Sequence, residues 1–269
     1  MILLVFEGEK GEPRVMATLQ YLYFSGSANQ VLCYYGTDTH TLWKEVKEYE
    51  ADGYEADVFT IVKQRMQSRG DHSLDLYNSY QIESIYLFFD YDPQNKTIPP
   101  ERLNQEIQEM VLQFDDPMDK GKIYISYPMA ESLFCINSVP DSSFISTDVA
   151  IEDCRCFKGW CMAQYELSRK PGLLIYKTDK TGRKITETNP ASRKQELIDK
   201  WNSIVLMSIE KANMICTGQN GLPDNVDIVS QMEIFIHERD DYVLPSSKVS
   251  ILSAFPMFLY EYFHGNGIF

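Results

Sequence analysis

The apolar residues fall into short unbroken runs separated by stretches with a helical period. Residues 2–6 (Ile-Leu-Leu-Val-Phe) are continuously apolar and stop at Glu7-Gly8, the pattern of a strand buried on both faces. Residues 30–35, 84–89 and 122–126 repeat that texture, and Pro93 forbids the third run from continuing as a central ladder. Between the runs, Val15, Leu19, Leu22 and Tyr23 share one helical face over 14–24, as do Val58, Ile61, Val62 and Met66 over 56–67. Leu103, Ile107, Val111 and Phe114 do the same after Pro100, which suits a first helical turn, and 41–51 reads as a charged helix. Short buried strands alternating with helices predict a doubly wound α/β fold, with a parallel sheet flanked by helices and ligands at the carboxyl ends of its strands.

From residue 137 the period is lost, and the aromatic, cysteine-bearing stretch to 169 is expected to be a helical insertion. A helix over 190–216 follows, with Leu197, Trp201, Ile204, Val205, Ile209 and Ala212 on one stripe. A helix over 228–239, a strand over 248–252 and a helix over 255–263 complete the expected order. The expected division is a catalytic domain over 1–136 and a mostly helical insertion with a C-terminal α/β extension over 137–269. Phe255, Phe258, Tyr260, Tyr262 and Phe263 either cap the core or pair two copies, a possible homodimer; core packing is the simpler expectation.

Composition narrows the classes. Of 269 residues, 44% are hydrophobic and 24% charged, which excludes a disordered, collagen-like or coiled-coil chain. The apolar runs fall far short of the roughly 20 residues that span a bilayer, and the first meets Glu7 with no basic leader before it, unlike a secretory signal. Six cysteines are too sparse for a disulfide scaffold. Reduced thiols, no membrane partner and a cytoplasmic location are expected. Cys154, Cys156 and Cys161 lack a Cys-x₂-Cys pair and read as structural thiols rather than zinc ligands. No glycine-rich phosphate loop is present, so an ATPase activity would have to come from a partner.

Charge is unevenly placed. Asp plus Glu number 39 against 25 Lys plus Arg, a net charge of −14, which disfavours non-specific binding of nucleic acid. Residues 168–194 nevertheless carry eight cations and two carboxylates, +6, leaving −20 on the remainder. Lys177, Lys180, Arg183 and Lys184 lie at the expected tip of a hairpin there, suited to gripping a nucleic-acid backbone; an exposed hairpin balancing an acidic surface is the plainer alternative.

The candidate chemistry lies at strand ends. Glu7 follows the first run, and Asp90 and Asp92 follow the third. Adjacent parallel strands lie about 5 Å apart, so these carboxylates can converge on a hard cation such as Mg²⁺ or Mn²⁺. In an extended segment Asp90 and Asp92 point to the same side, and Gly8 permits close approach to Glu7. Lys10 and Arg14 are candidates to hold a phosphate, or are solvated charges at a helix start. Glu12 and Glu131 favour the first turns of their helices.

A buried strand ending Glu-Gly, a later one ending Asp-x-Asp and a helical spacer between them resemble the TOPRIM domain of topoisomerases, bacterial primases and small nucleases, over residues 1–136. Residues 5–13 (Val-Phe-Glu-Gly-Glu-Lys-Gly-Glu-Pro) are similar to the opening of its RloB-like branch, and Ser126-Tyr127-Pro128-x-x-Glu131 to that branch's later motif. Residues 252–259 with Tyr262-Phe263 resemble the ending of TOPRIM effectors of the PARIS and AbiL anti-phage systems. The resemblance implies a TOPRIM-like Rossmannoid sheet and metal-dependent phosphodiester cleavage of RNA such as tRNA, or of DNA. It makes Glu7 a metal ligand or general acid/base, makes Asp90 and Asp92 metal ligands for one or two Mg²⁺ or Mn²⁺ ions, makes Glu12 and Glu131 candidates for a further metal site, and implies an ABC-type ATPase as trigger. Asp-x-Asp after a strand also fits a glycosyltransferase, and a non-catalytic TOPRIM scaffold is the third alternative.

Overall fold

The unbroken apolar runs form the centre of a five-stranded sheet. The computed structural model describes residues 1–24, 30–53, 56–95, 97–169, 172–178, 184–186 and 190–264. Its sheet strands are β1 (Ile2–Phe6), β2 (Gln30–Tyr34), β3 (Ser84–Asp90), β4 (Asp115–Asp116) and β5 (Gly121–Ser126), in the order β2-β1-β3-β5-β4. The first four in that order are mutually parallel, with Leu4 level with Leu32 on one side and Tyr86 on the other, and Phe88 level with Tyr124. Only β4, a two-residue acidic edge, runs antiparallel. Central strands with helices on both faces need apolar side chains on both sides, which is why these runs are continuous rather than alternating.

Helices α1 (Gly11–Tyr23), α2 (Thr39–Ala51), α3 (Val58–Ser68) and α4 (Pro100–Gln113) connect the strands. Right-handed crossovers put α1 on one face and the other three on the opposite one, where α2 packs on both α3 and α4. The chain continues through β6 (Asp148–Ala150), α5 (Phe157–Gln164), α6 (Glu166–Arg169), β7 (Tyr176–Thr178), β8 (Lys184–Thr186), α7 (Lys194–Thr217), α8 (Gln231–His237), α9 (Leu244–Ser246), β9 (Lys248–Ser250) and α10 (Ala254–Phe263). A single 3₁₀ turn (Pro190–Arg193) precedes α7, and Gly218 ends it with φ of 70°, the left-handed residue that commonly closes a helix.

The segment 137–169 is less helical than its composition suggests. β6 interrupts it and pairs antiparallel with β9 about a hundred residues later, a partner that no local period reveals. β7 and β8 form the expected basic hairpin, but Lys177 and Lys184 sit in its paired strands rather than at its tip, while Lys180 and Arg183 lie outside the described residues.

The terminal aromatics cap the core. Phe255 and Phe258 are buried, their ring centroids each 5.2 Å from that of Phe88, and Phe258 also meets Tyr86 and Tyr124. The carboxylate of Glu261 accepts from Tyr124 at 2.9 Å and pairs with Lys122. A bridge between Tyr127 and Leu252 joins the same two halves, and Gln231 Oε1 accepts from the Ile125 amide at 3.0 Å. Among the described residues no helix is long and apolar enough to cross a membrane.

Candidate functional site

From β1 the chain steps outward to β2 and then returns to the other side of β1 for β3. Open α/β sheets bind ligands at the carboxyl ends of the strands flanking such a reversal. A cleft of about 720 Å³ opens there.

Glu7 enters the cleft directly after β1, and Asp90 is the last residue of β3. The Asp90 amide donates to Glu7 Oε2 at 3.2 Å, so two acidic residues far apart in sequence meet. Asp90 Oδ1 in turn accepts from the Ala130 amide at 2.8 Å, where a 3₁₀ turn (Ala130–Phe134) starts beyond β5.

Asp92 also lines the cleft, but by a route different from the expected extended segment. The Tyr91 and Asp92 amides both donate to the Pro128 carbonyl at 3.2 Å, and Asp92 adopts φ of 47°, a left-handed conformation that Asp tolerates better than most residues. The two aspartates therefore share the cleft through a turn, while the Tyr91 ring is buried and its hydroxyl donates to Asn104 Oδ1 at 2.7 Å.

Glu12, in the first turn of α1, folds back so that its Oε2 accepts from the Gly8 amide at 2.8 Å. A Cβ at residue 8 would meet that oxygen, so the bare Gly8 lets Glu12 fold back, and Gly8 itself lines the cleft. Glu131 lines the opposite side, 3.4 Å from Lys158 of α5. Lys10 lies exposed at the rim, whereas Arg14 is half-buried on α1 and does not line the cleft.

Three charged lining residues, Glu9, Asp38 and Lys158, are not among the sequence candidates. Asp38 caps α2, accepting from the Thr41 amide at 2.9 Å, and faces the cleft from the end of β2; its one clue is that it too follows a strand end and a glycine. Lys158 reaches Glu131 only through the packing of α5 against the 3₁₀ turn.

Seven carboxylates and two lysines line the cleft. Burial pushes Glu7 up to about 8; the Asp90 amide pulls it down, and Asp92, Glu12 and Asp38 push it further up. Burial likewise raises Glu12 to about 7, against the pull of the Gly8 amide, with Glu131 adding to the rise. Asp90 is held well above the usual carboxylate range by burial and then by Glu7, and burial raises Asp92 against the pull of Gln94. Crowded acids of this kind ionise together only when a cation joins them. Among the described residues no three His, Cys, Asp or Glu side chains are already gathered as a metal shell; the donors in the cleft are oxygens only, which suit a hard cation.

No protein-family model, curated protein or solved structure matches the chain.

Proposed function

We propose that this protein is a divalent-metal-dependent nuclease with a TOPRIM-like catalytic sheet. The observation that carries the reading is the 3.2 Å contact between the Asp90 amide and Glu7 Oε2, which brings the ends of β1 and β3 into one acidic cleft at the sheet reversal. Glu7, Asp90 and Asp92 are the residues that would hold Mg²⁺ or Mn²⁺, with Glu12 and Glu131 as candidates for a second ion. Bound there, the metal supplies Lewis-acid polarisation of a phosphoryl oxygen and a lowered pKa for the attacking water.

The protein's own groups do the rest. Glu7 is either a ligand to the ion or the group that exchanges a proton with the attacking water or leaving oxygen; burial, which raises it to about 8, favours the second role where the aspartates hold the cation. The Ala130 amide fixes the Asp90 carboxylate, and the Pro128 carbonyl fixes the turn that presents Asp92. Lys10 at the rim offers charge to a phosphate.

The biological setting that goes with this reading is a toxic effector of a bacterial anti-phage system, triggered through an ABC-type ATPase; its support is the sequence resemblance. Cleavage of tRNA and of plasmid DNA by the wild type, Glu7→Ala and Asp90→Ala, with and without Mg²⁺, tests the enzymatic part. Metal-dependent cleavage abolished by both substitutions is expected, and cleavage that survives both overturns the assignment.

A further inference from the structure

A second cleft, of about 380 Å³, adjoins the acidic one: Asp38 lines both. It lies between α2 and the start of α4, with Lys44, Lys47 and Arg102 along it and Ile98 and Trp43 beside them. Of the four clefts described, it alone carries more cationic than anionic side chains; the acidic cleft has seven carboxylates to two lysines, and the other two are also net negative.

Its carboxylates are already engaged. Glu106 accepts from Arg102 Nε at 2.7 Å on one oxygen and meets His40 Nδ1 at 2.8 Å on the other, while Asp38 caps α2. The cations are held loosely. Lys44 and Arg102 side chains are 76% and 72% exposed, and the Lys44–Glu48 and Lys47–Glu50 pairs are surface pairs one turn apart on α2, which hold little; Arg102 is the most firmly held of the three, by Glu106. A phosphate can therefore draw these ammonium and guanidinium groups to itself at small cost. A polyanion approaching a body of net charge −14 gains most along such a track.

We infer that the groove between α2 and α4 binds the phosphodiester backbone of the nucleic-acid strand that flanks the scissile phosphate, guiding it past Asp38 into the acidic cleft. This rests on the nuclease reading, whose substrate path it specifies. The shared chemistry is a single strand of phosphodiesters, RNA or DNA.

The test is fluorescence anisotropy of the full chain with single-stranded RNA and DNA oligonucleotides, in Ca²⁺ to hold the strand without turnover, at about 50 and about 200 mM salt. The groove variant is Lys44→Gln/Arg102→Gln; Lys47 is kept because it stacks over Trp43 at 4.2 Å. The control removes the same charge elsewhere, with Lys200→Gln/Lys248→Gln. Losing two phosphate contacts lowers the salt slope by about 1.4, so wild-type affinity should fall roughly sevenfold more than the groove variant's across that range. The control should follow the wild type. A groove variant that matches the wild type in affinity and slope, or a control that falls with it, overturns the groove while leaving the nuclease reading intact. A wild type that binds neither oligonucleotide overturns the groove and leaves the nuclease reading to the cleavage assay on tRNA and plasmid DNA; a preference for one that the groove variant loses supports the groove and identifies the sugar.

Discussion

The Asp90 amide lies 3.2 Å from Glu7 Oε2, so the end of β3 partly neutralises the carboxylate that follows β1. One N–H is weak compensation for the neighbouring acids, and Glu7 stays raised to about 8. The cleft is thus built at a cost in stability that a cation would remove.

Asp90→Asn tests that cost directly. Asparagine keeps an oxygen to accept from the Ala130 amide while deleting one of the mutually repelling charges. Its melting temperature in EDTA at pH 8 should exceed that of the wild type, and the rise that excess MgCl₂ gives the wild type, by mass action on the folded state, should be largely lost. Differential scanning fluorimetry with and without Mg²⁺ reads both; a variant stabilised by Mg²⁺ as strongly as the wild type would count against Asp90 as a ligand.

Gly36→Ala should be destabilising for two separable reasons. Residue 36 has φ of 70°, and an added Cβ would run into the Arg69 guanidinium, which donates to the Tyr35 carbonyl at 2.9 Å and pairs with Glu9. In the wild-type background a loss of roughly 2–4 kcal/mol is expected, falling to roughly 1 kcal/mol, the left-handed backbone cost alone, when Arg69 is already alanine. Urea unfolding of the four proteins of the cycle measures it; equal losses in both backgrounds would mean that Arg69 does not lie against Gly36.

Much of this arrangement was open to reading before any coordinates. Residues 2–6 and 84–89 stand out because a strand covered on both faces is apolar at every position, and Glu7 and Asp90 stand out because they end such strands. Asp38 did not, since an aspartate before Thr-His-Thr looks like any helix cap, which it also is. Asp92 was found by spacing, but the reason differed: a turn held by the Pro128 carbonyl replaces the extended segment. β6 stayed hidden because three residues acquire strand character only from β9. At Gly8 the sequence shows only a glycine beside Glu7; that Glu12 folds back onto its amide is visible only in three dimensions.

Glu238 gives a pH test remote from the cleft. It is buried, its Oε2 accepts from the Ser250 amide at 3.0 Å, and its Oε1 has no hydrogen-bond partner among the described residues. Burial pushes it up to about 8 from 4.5, although Lys211 pulls it down. A raised carboxyl stabilises the fold fully below its unfolded value and loses that contribution as pH climbs to the folded one. Between pH 4.5 and 8 wild-type stability should therefore fall with a Glu238 share on the order of 1 kcal/mol per pH unit. Glu238→Gln should show a shallower decline in its urea midpoint; an unchanged slope would mean that Glu238 ionises as it would in water.

Phe258→Ala should remove roughly 3–5 kcal/mol, the usual penalty for emptying a buried aromatic site. Phe258 touches Tyr86, Phe88 and Tyr124 from α10, so the loss should appear as one cooperative transition at lower urea rather than as separate melting of the C-terminal helix. Two transitions would contradict the shared core.

That shared core has a consequence for how the molecule is made. During synthesis β1, β3 and β5 leave the ribosome well before residues 254–263, so the Phe88 and Tyr124 rings stay without their α10 partners until those residues arrive. A truncated translation product ending before Ala254 would carry every acidic group of the cleft on a sheet that cannot close, and is expected to be captured by chaperones or degraded rather than to act.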